Sequence, residues 1–393
     1  MQPLELWGGH ECTVNRVGYV YFDQTYRTGH QNRIEDLDRF AALGLKTLRY
    51  PVLWERVAPN APNRFDWSWT DARLQRIRDL GMRPIAGLLH HGGGPRYTTL
   101  VDPIFPSLFA RYARKAAERY PWIDDWTPIN APLATARFSA LYGYWHPHFN
   151  DETALWTALL SQVEAVQLAM REIRAVNPSA RLIQTEAIGR APTLAQHADF
   201  DSARWITWDL LTGRVDPEHP LWGRLEGFGF GDQLRSLADA PCPPDVIGVN
   251  YSARRDRFLD DLAPSASSVL EEALDKAWSR YRLPLALTES HVDDGDEHVP
   301  WVRKAWDVAE RLRFRGVDVR AVTAWALLGA FDWDSLLTRP DGRYEAGAFD
   351  VSGKEPRPTN VAAELARLAT QGDRWPAIAA ATLQRGVQPS GFW

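Results

Sequence analysis

Several residues with chemistry to offer stand directly after apolar runs. They are His10 and Glu11 in LWGGHE, Arg49 and Trp54 in TLRYPVLW, and His90 and His91 in IAGLLHHGGGP. Farther along come Asn130 in DWTPIN, Glu186 in LIQTEAIG, Asn250 and Tyr251 in DVIGVNY, and Glu289 in LALTES. Trp325, Asp332 and Trp333 close the series in TAWALLGAFDW. Carboxylates, amides and indoles gathered in one place suit a neutral, polyhydroxylated ligand. Indole faces pack on its C–H surfaces while the polar groups bond its hydroxyls. Phosphate chemistry is disfavoured, because the glycines of HHGGGP lack the Lys-Ser/Thr of a phosphate cradle; a flexible loop is expected there. Metal chemistry is disfavoured as well. Adjacent strand residues face opposite ways, so His90 and His91 cannot readily share an ion, and no His-x-His pair ends a strand. Neither metal nor cofactor is expected.

The elements that must position these groups repeat one unit: helix, glycine, short polar step, apolar strand. In residues 33–43, Ile34, Leu37 and Ala41 fall on one helical face, and Gly44 follows where a helix end favours left-handed geometry. The runs LELWGGHE, LKTLRYPVLW, MRPIAGLLHH, WIDDWTPIN, RLIQTEAIG, DVIGVNY, LPLALTES and VRAVTAWALL are the strand candidates. Strands apolar throughout and alternating with helices form parallel sheets covered on both faces. Eight such units predict a (β/α)8 barrel, in which catalytic groups project from the C-terminal strand ends. No linker divides the chain, so residues 1–393 are expected as one domain, with a charged loop at 253–266 and an irregular tail after about 372.

Composition narrows the partners. The 393 residues carry 45 Lys and Arg against 50 Asp and Glu, a net charge of −5 that leaves no basic footprint for nucleic acid. Cys12 and Cys242 are expected as ordinary thiols in a reducing compartment. No apolar run approaches the ~20 residues of a membrane helix. The start MQPLELWGGHE has neither a basic nor an apolar export region, so a cytoplasmic location is expected. Eighteen tryptophans exceed what a core alone explains, and sugar-binding clefts account better for the remainder. The oligomeric state leaves no signature.

Over nearly its whole length the chain resembles glycoside hydrolase family 1, the β-glucosidase family. LWGGHE is similar to the family's first strand, TLRYPVLWERVAP to its second, and LLHHGGGP to its third, where the family has His-Trp. DWTPINAP followed by YGYWHP resembles the fourth, DVIGVNY the sixth, LALTES the seventh and TAWALLGAFDW the eighth. The resemblance implies a retaining exo-β-glycosidase acting on a carbohydrate or glycoside. Such enzymes use a nucleophilic carboxylate and a second carboxyl group about 5–5.5 Å away that serves first as acid, then as base. Glu289 stands at the nucleophile position, with Arg49 as the cation that keeps it ionised. Asn130 is the implied partner of the sugar's 2-hydroxyl, and Tyr251 lies near a tyrosine that contacts the nucleophile. His90, Trp325, Asp332 and Trp333 are implied sugar contacts, and the family's first-strand glutamine appears as Glu11 or His10.

The family's acid/base glutamate belongs to the motif Thr-x-Asn-Glu-Pro, and here Thr127-Pro128-Ile129-Asn130-Ala131-Pro132 stands in its place. A methyl group transfers no proton, and loss of a general acid removes on the order of 10²–10⁴ in rate. Three explanations are open: an introduced Glu-to-Ala change at position 131, a sugar-binding barrel without turnover, or an acid displaced to Glu186, Glu55 or Glu11. Glu186 is the best placed of the three. Departures at Asp332 and at Glu11 or His10 fall in the pocket for the non-reducing sugar, so the preferred sugar need not be glucose; after Tyr251 the chain has Ser252 where the family continues with a second aromatic.

Overall fold

All eight apolar runs become parallel strands: β1 (Glu5–Gly9), β2 (Thr47–Pro51), β3 (Arg83–His90), β4 (Asp125–Asn130), β5 (Arg181–Ala187), β6 (Val246–Ser252), β7 (Leu285–His291) and β8 (Val319–Ala324). They close into a barrel in chain order, β1 pairing with β2 on one side and with β8 on the other. The computed structural model describes residues 2–188, 203–252, 266–292 and 297–372. Residues 253–265 of the charged loop and the tail after about 372 lie outside the described residues. Each strand leads to a covering helix: α1 (Asp36–Ala42), α2 (Ser68–Asp79), α3 (Phe105–Arg119), α4 (Glu152–Val176), α5 (Gly231–Asp239), α6 (Ala266–Tyr281), α7 (His298–Phe314) and α8 (Asn360–Gly372).

Strands covered on both faces must be apolar on both, and β2 and β4 are buried along their whole length. The helices show the complementary pattern. In α3, Phe105, Phe109, Tyr112, Ala113 and Ala116 recur at helical spacing and are buried, while Arg114 and Glu118 between them stay in solvent. Inside the barrel, Trp7, Ile85, Ile183, Val246, Ala286 and Ala321 form a separate apolar layer. Strand alternation puts the residues two positions on into the next layer: Gly9, Gly87, Thr185, Gly248, Thr288 and Thr323. That layer is small and hydroxylic. A methyl on Gly248 would stand 2.9 Å from Thr185 Cγ2 and 3.0 Å from Thr288 Cγ2, so glycine there leaves room for both hydroxyls.

Two expectations change. Much of the tryptophan is core: Trp54, Trp126, Trp145, Trp208 and Trp306 are fully buried, and Trp54 sits among Tyr97, Phe105, Phe109 and Tyr112 rather than at the barrel mouth. Residues 91–94 of HHGGGP are also buried, not a free loop. A β-carbon on Gly92 would fall 1.9 Å from Glu55 Oε1, which is why a run of glycines is needed where the chain passes that carboxyl.

Gly9 makes the sharpest demand. A β-carbon there would lie 2.1 Å from Cε3 of Trp325, so the absent side chain is the space the indole occupies. Gly9→Ala should therefore push Trp325 aside and destabilise the fold by about 1–3 kcal/mol, the usual cost of overpacking. Urea unfolding together with near-ultraviolet circular dichroism checks this; unaltered stability and an unaltered indole signal would show that Trp325 does not rest on Gly9.

Candidate active site

The polar centre of the barrel mouth is built by six strands, β2 to β7. Arg49, from β2, donates through Nη1 to Glu289 Oε1 at 3.0 Å and to the carbonyl of Thr288 at 2.6 Å. Its Nη2 donates to Asn130 Oδ1 at 2.8 Å. The same oxygen accepts from Thr185 Oγ1 at 2.7 Å and from Asn250 Nδ2 at 3.1 Å, while Asn250 Oδ1 takes the hydroxyl of Thr288 at 2.7 Å. Three donors on one oxygen fix the amide's orientation. The Asn130 nitrogen then points its hydrogens toward Nε2 of His90 and of His91, 3.2 Å from each. Burial pushes His90 well below the usual imidazole range, so it stands neutral as an acceptor.

Glu289 feels two opposed influences. Its carboxyl is raised to about 7 in all: burial pushes it up, the Arg49 charge pulls it down, neighbouring Glu11 pushes it up further, and hydrogen bonds from Arg49 and Asn130 pull it down. The Arg49 guanidinium also lies 4.9 Å over the Trp325 ring, and that ring stacks on His90 at 5.4 Å. Cation, carboxylate, imidazole and indole thus hold one another in place.

Above this network opens a cavity of about 440 Å³, lined by Glu11, Ala131, Tyr251, Glu289, Trp325 and Trp333 among others. These six come together as expected. Arg49, His90 and Asn130 stand directly behind the wall. Tyr251 donates its hydroxyl to the carbonyl of Ala266 at 3.0 Å and stacks on Trp301. Glu11 settles the ambiguity at the first strand. Its Oε1 accepts from Thr13 N at 2.9 Å and its Oε2 from Trp325 Nε1 at 3.3 Å, whereas His10 turns away to pack on His30. Burial raises the Glu11 carboxyl.

Ala131 is fully buried in the wall and adopts left-handed backbone angles, φ 46° and ψ 66°. That geometry is costly for a residue with a β-carbon, and more so before proline. The turn is held from below by Glu186, whose carboxylate accepts from Leu133 N at 2.8 Å, Ala134 N at 3.3 Å, Ala187 N at 2.9 Å and Thr207 Oγ1 at 2.7 Å. Four donors on two oxygens make Glu186 a structural anchor of the turn, outside the cavity lining. Glu55 lines a different hollow. Of the three candidates only Glu11 faces the cavity.

Asp332 is placed away from the cavity. Its side chain is fully buried, ion-paired with Arg27, and accepts from Arg343 N at 2.7 Å; Trp333 and Asp334 line the wall instead. The two histidines also break the alternation assumed for them. His91 has left the strand with φ 57°, and this brings its ring beside His90 on the same amide. No group of three or more His, Cys, Asp or Glu among the described residues stands ready to hold a metal ion. His291 and Glu345 line the cavity and pair at 3.3 Å, and sequence reading missed both. His291 was within reach, since it lies two residues beyond Glu289 on the same strand face. Glu345 was not: a two-residue hairpin strand, Tyr344–Glu345 against Ala330–Phe331, brings it in from a segment with no periodicity.

No family model matches the chain. It is 24% identical to Beta-glucosidase 47 of Arabidopsis thaliana over 82% of this chain and 72% of that protein. It is 21% identical to Beta-glucosidase A of Thermotoga maritima over 77% of this chain and 78% of that protein. Among solved structures, the family 1 β-glucosidase from Thermotoga maritima superposes with a TM-score of 0.75 over 94% of this chain and 97% of that chain, at 17% identity. The same enzyme in complex with deoxynojirimycin gives 0.74 over 95% and 98%, at 15% identity. The fold is thus the (β/α)8 barrel that these enzymes share, and the sequence relatives it resembles include β-glucosidases, 6-phospho-β-glucosidases and a β-galactosidase.

Proposed function

We propose that the chain is a retaining exo-β-glycosidase of the glycoside hydrolase family 1 type, with Glu289 as nucleophile and its acid/base position held by Ala131. The observation that carries this reading is the Glu289–Arg49–Asn130 network at the foot of a cavity whose opposite wall includes Ala131 in a strained turn. In the first step a Glu289 oxygen attacks the anomeric carbon, the bond to the aglycone oxygen breaks, and an ester joins sugar and enzyme. Water then breaks the ester, and two inversions leave the configuration retained. Arg49 stabilises the carboxylate before attack and as leaving group afterwards. Asn130 reaches a sugar hydroxyl by turning over to it one of the two hydrogens that it otherwise gives His90 and His91, while Trp325 and Trp333 give the ring its apolar floor and wall. With alanine at position 131 the aglycone must leave as an anion and water must attack without a base. Activated aryl glycosides fit that chemistry; alkyl glycosides do not.

A second reading, a sugar-binding barrel without turnover, is favoured by Ala131 itself and by the commitment of Glu186 to the turn. Restoring the carboxyl separates the two. Ala131→Glu should raise hydrolysis of unactivated glycosides by at least about 10², the low end for general acid catalysis; equal rates in the two proteins would refute the assignment of position 131. In the chain as it stands, sodium azide should enter the space left by the missing carboxylate and yield a β-glycosyl azide from a dinitrophenyl glycoside. Mass spectrometry of the stalled enzyme should find the sugar on Glu289. An α-linked azide, or a label elsewhere, would exclude double displacement through this residue.

The pH profile tests the electrostatics. Attack requires ionised Glu289, so kcat/KM for the activated substrate should climb with pH to a plateau above about 7. Glu11→Gln removes the neighbouring carboxylate that raises Glu289, and the acidic limb should move to lower pH. An immobile limb would mean that another group controls it.

A further inference from the structure

A second cavity, of about 370 Å³, opens between the hairpin Val14–Val17/Val20–Asp23, the short helix Trp54–Val57 and the segments around Asp66–Thr70 and Pro95–Arg96. Three of its lining residues carry buried polar atoms without a hydrogen-bond partner: Glu55 Oε2, the Tyr21 hydroxyl and Arg56 Nε. Glu55 is only 8% exposed, and its other oxygen accepts from Gly94 N at 3.3 Å. Leaving such groups unmet costs about 1–3 kcal/mol each, and native proteins rarely do so. Three around one hollow point to a missing partner with several hydroxyls or amides.

We propose that this cavity is a second binding site, separate from the barrel mouth, for one neutral sugar residue. Charge favours a neutral occupant. Asp23 is ion-paired with Arg56, and the remaining charged lining residues, Asp66 and Arg96, balance, so neither an anion nor a cation meets an uncompensated opposite charge. The vacant atoms comprise a guanidinium N–H, a phenol and a carboxyl group, which match hydroxyls that both donate and accept. Tyr26, 63% exposed on the rim, offers an aromatic face for ring C–H groups. The volume lies at the low end for ligand pockets, roughly 300–1,000 Å³, which suits a single ring better than an oligosaccharide.

Burial pushes Glu55 up to about 8 against the hydrogen bond from Gly94, and Asp23 adds in the same direction. The other ionisable groups around it are Arg56 on its own helix, Arg96 beyond β3, and the phenols of Tyr97 and Tyr112, both held protonated well above neutrality. At neutral pH Glu55 therefore offers a proton to a sugar hydroxyl. As pH rises through about 8 it acquires a charge with no cation left to pair it, and affinity falls.

Methyl β-glucopyranoside is the probe, followed by hydrogen-exchange mass spectrometry and calorimetry on the full chain. Exchange should slow in residues 58–70 and 94–97, and affinity at this site should drop about tenfold between about pH 7 and about pH 9, one hydrogen bond's worth. Glu55→Gln, which cannot titrate, should bind equally at both pH values. If that variant does not fold, Tyr26→Ala on the exposed rim carries the test and should weaken binding at least about threefold. Trp325→Ala, at the barrel mouth, should leave the protection of 58–70 intact. Slowing confined to the strand ends of the mouth, a pH dependence that persists in Glu55→Gln, full affinity in Tyr26→Ala, or loss of 58–70 protection in Trp325→Ala each overturns the site. Tighter binding of glucosamine or methyl glucuronide than of the glucoside overturns its neutral character.

Discussion

One oxygen atom organises the barrel mouth: Oδ1 of Asn130, which accepts from Arg49, Thr185 and Asn250, three donors from three other strands. Removing it would take the acceptor from Arg49 Nη2, the Thr185 hydroxyl and the Asn250 amide nitrogen at once, so the position tolerates no apolar replacement. Its saturation also decides which way the amide points, and hence where its hydrogens go. Because Arg49 spends one nitrogen on this oxygen, its other reaches Glu289 from a fixed direction. The Glu289 carboxylate is aimed by a bond it does not itself make.

The mouth balances burial against charge. A carboxyl taken out of water prefers to keep its proton, and Glu289 lies near neutrality in spite of the cation beside it. Hydroxylic residues on the layer below, Thr185 and Thr288, let polar side chains descend into the barrel without losing hydrogen bonds. The apolar layer beneath them, from Trp7 to Ala321, keeps water from entering at the other end. That division of the barrel into dry and polar storeys lets one strand hold Ala286 and Glu289 three residues apart.

What was legible in the sequence follows from range. Strand alternation and uninterrupted apolar runs are local, so all eight strands and the C-terminal ends that carry Arg49, Asn130 and Glu289 could be read directly. Side-chain direction beyond a strand end is not local. His91 turns back beside His90 because its backbone is left-handed, and Asp332 is withdrawn from the mouth by Arg27, a partner some three hundred residues away. Glu186 has the look of a catalytic carboxylate in sequence. Only the four donors gathered around it reveal a carboxylate given over to holding a turn. Spacing alone could not distinguish the two roles, since both need a glutamate at the same strand end.

The pairing of β1 bears on the order in which the molecule is made. Its residues Trp7–Gly9 meet Thr47–Arg49 on one edge, partners available early in synthesis, but Glu5–Gly8 meet Ala321–Ala324 on the other, which are made some three hundred residues later. Until then the first strand presents an open edge, the kind of template on which nascent chains mispair. The indole that fits over Gly9 arrives with that final strand. A chain interrupted before residue 319 can therefore lay down seven strands, Arg49, Asn130 and Glu289, yet hold neither a closed barrel nor a floor for a ligand. Binding competence therefore waits for β8 and Trp325, and any chaperone that shields the edge of β1 also delays the site.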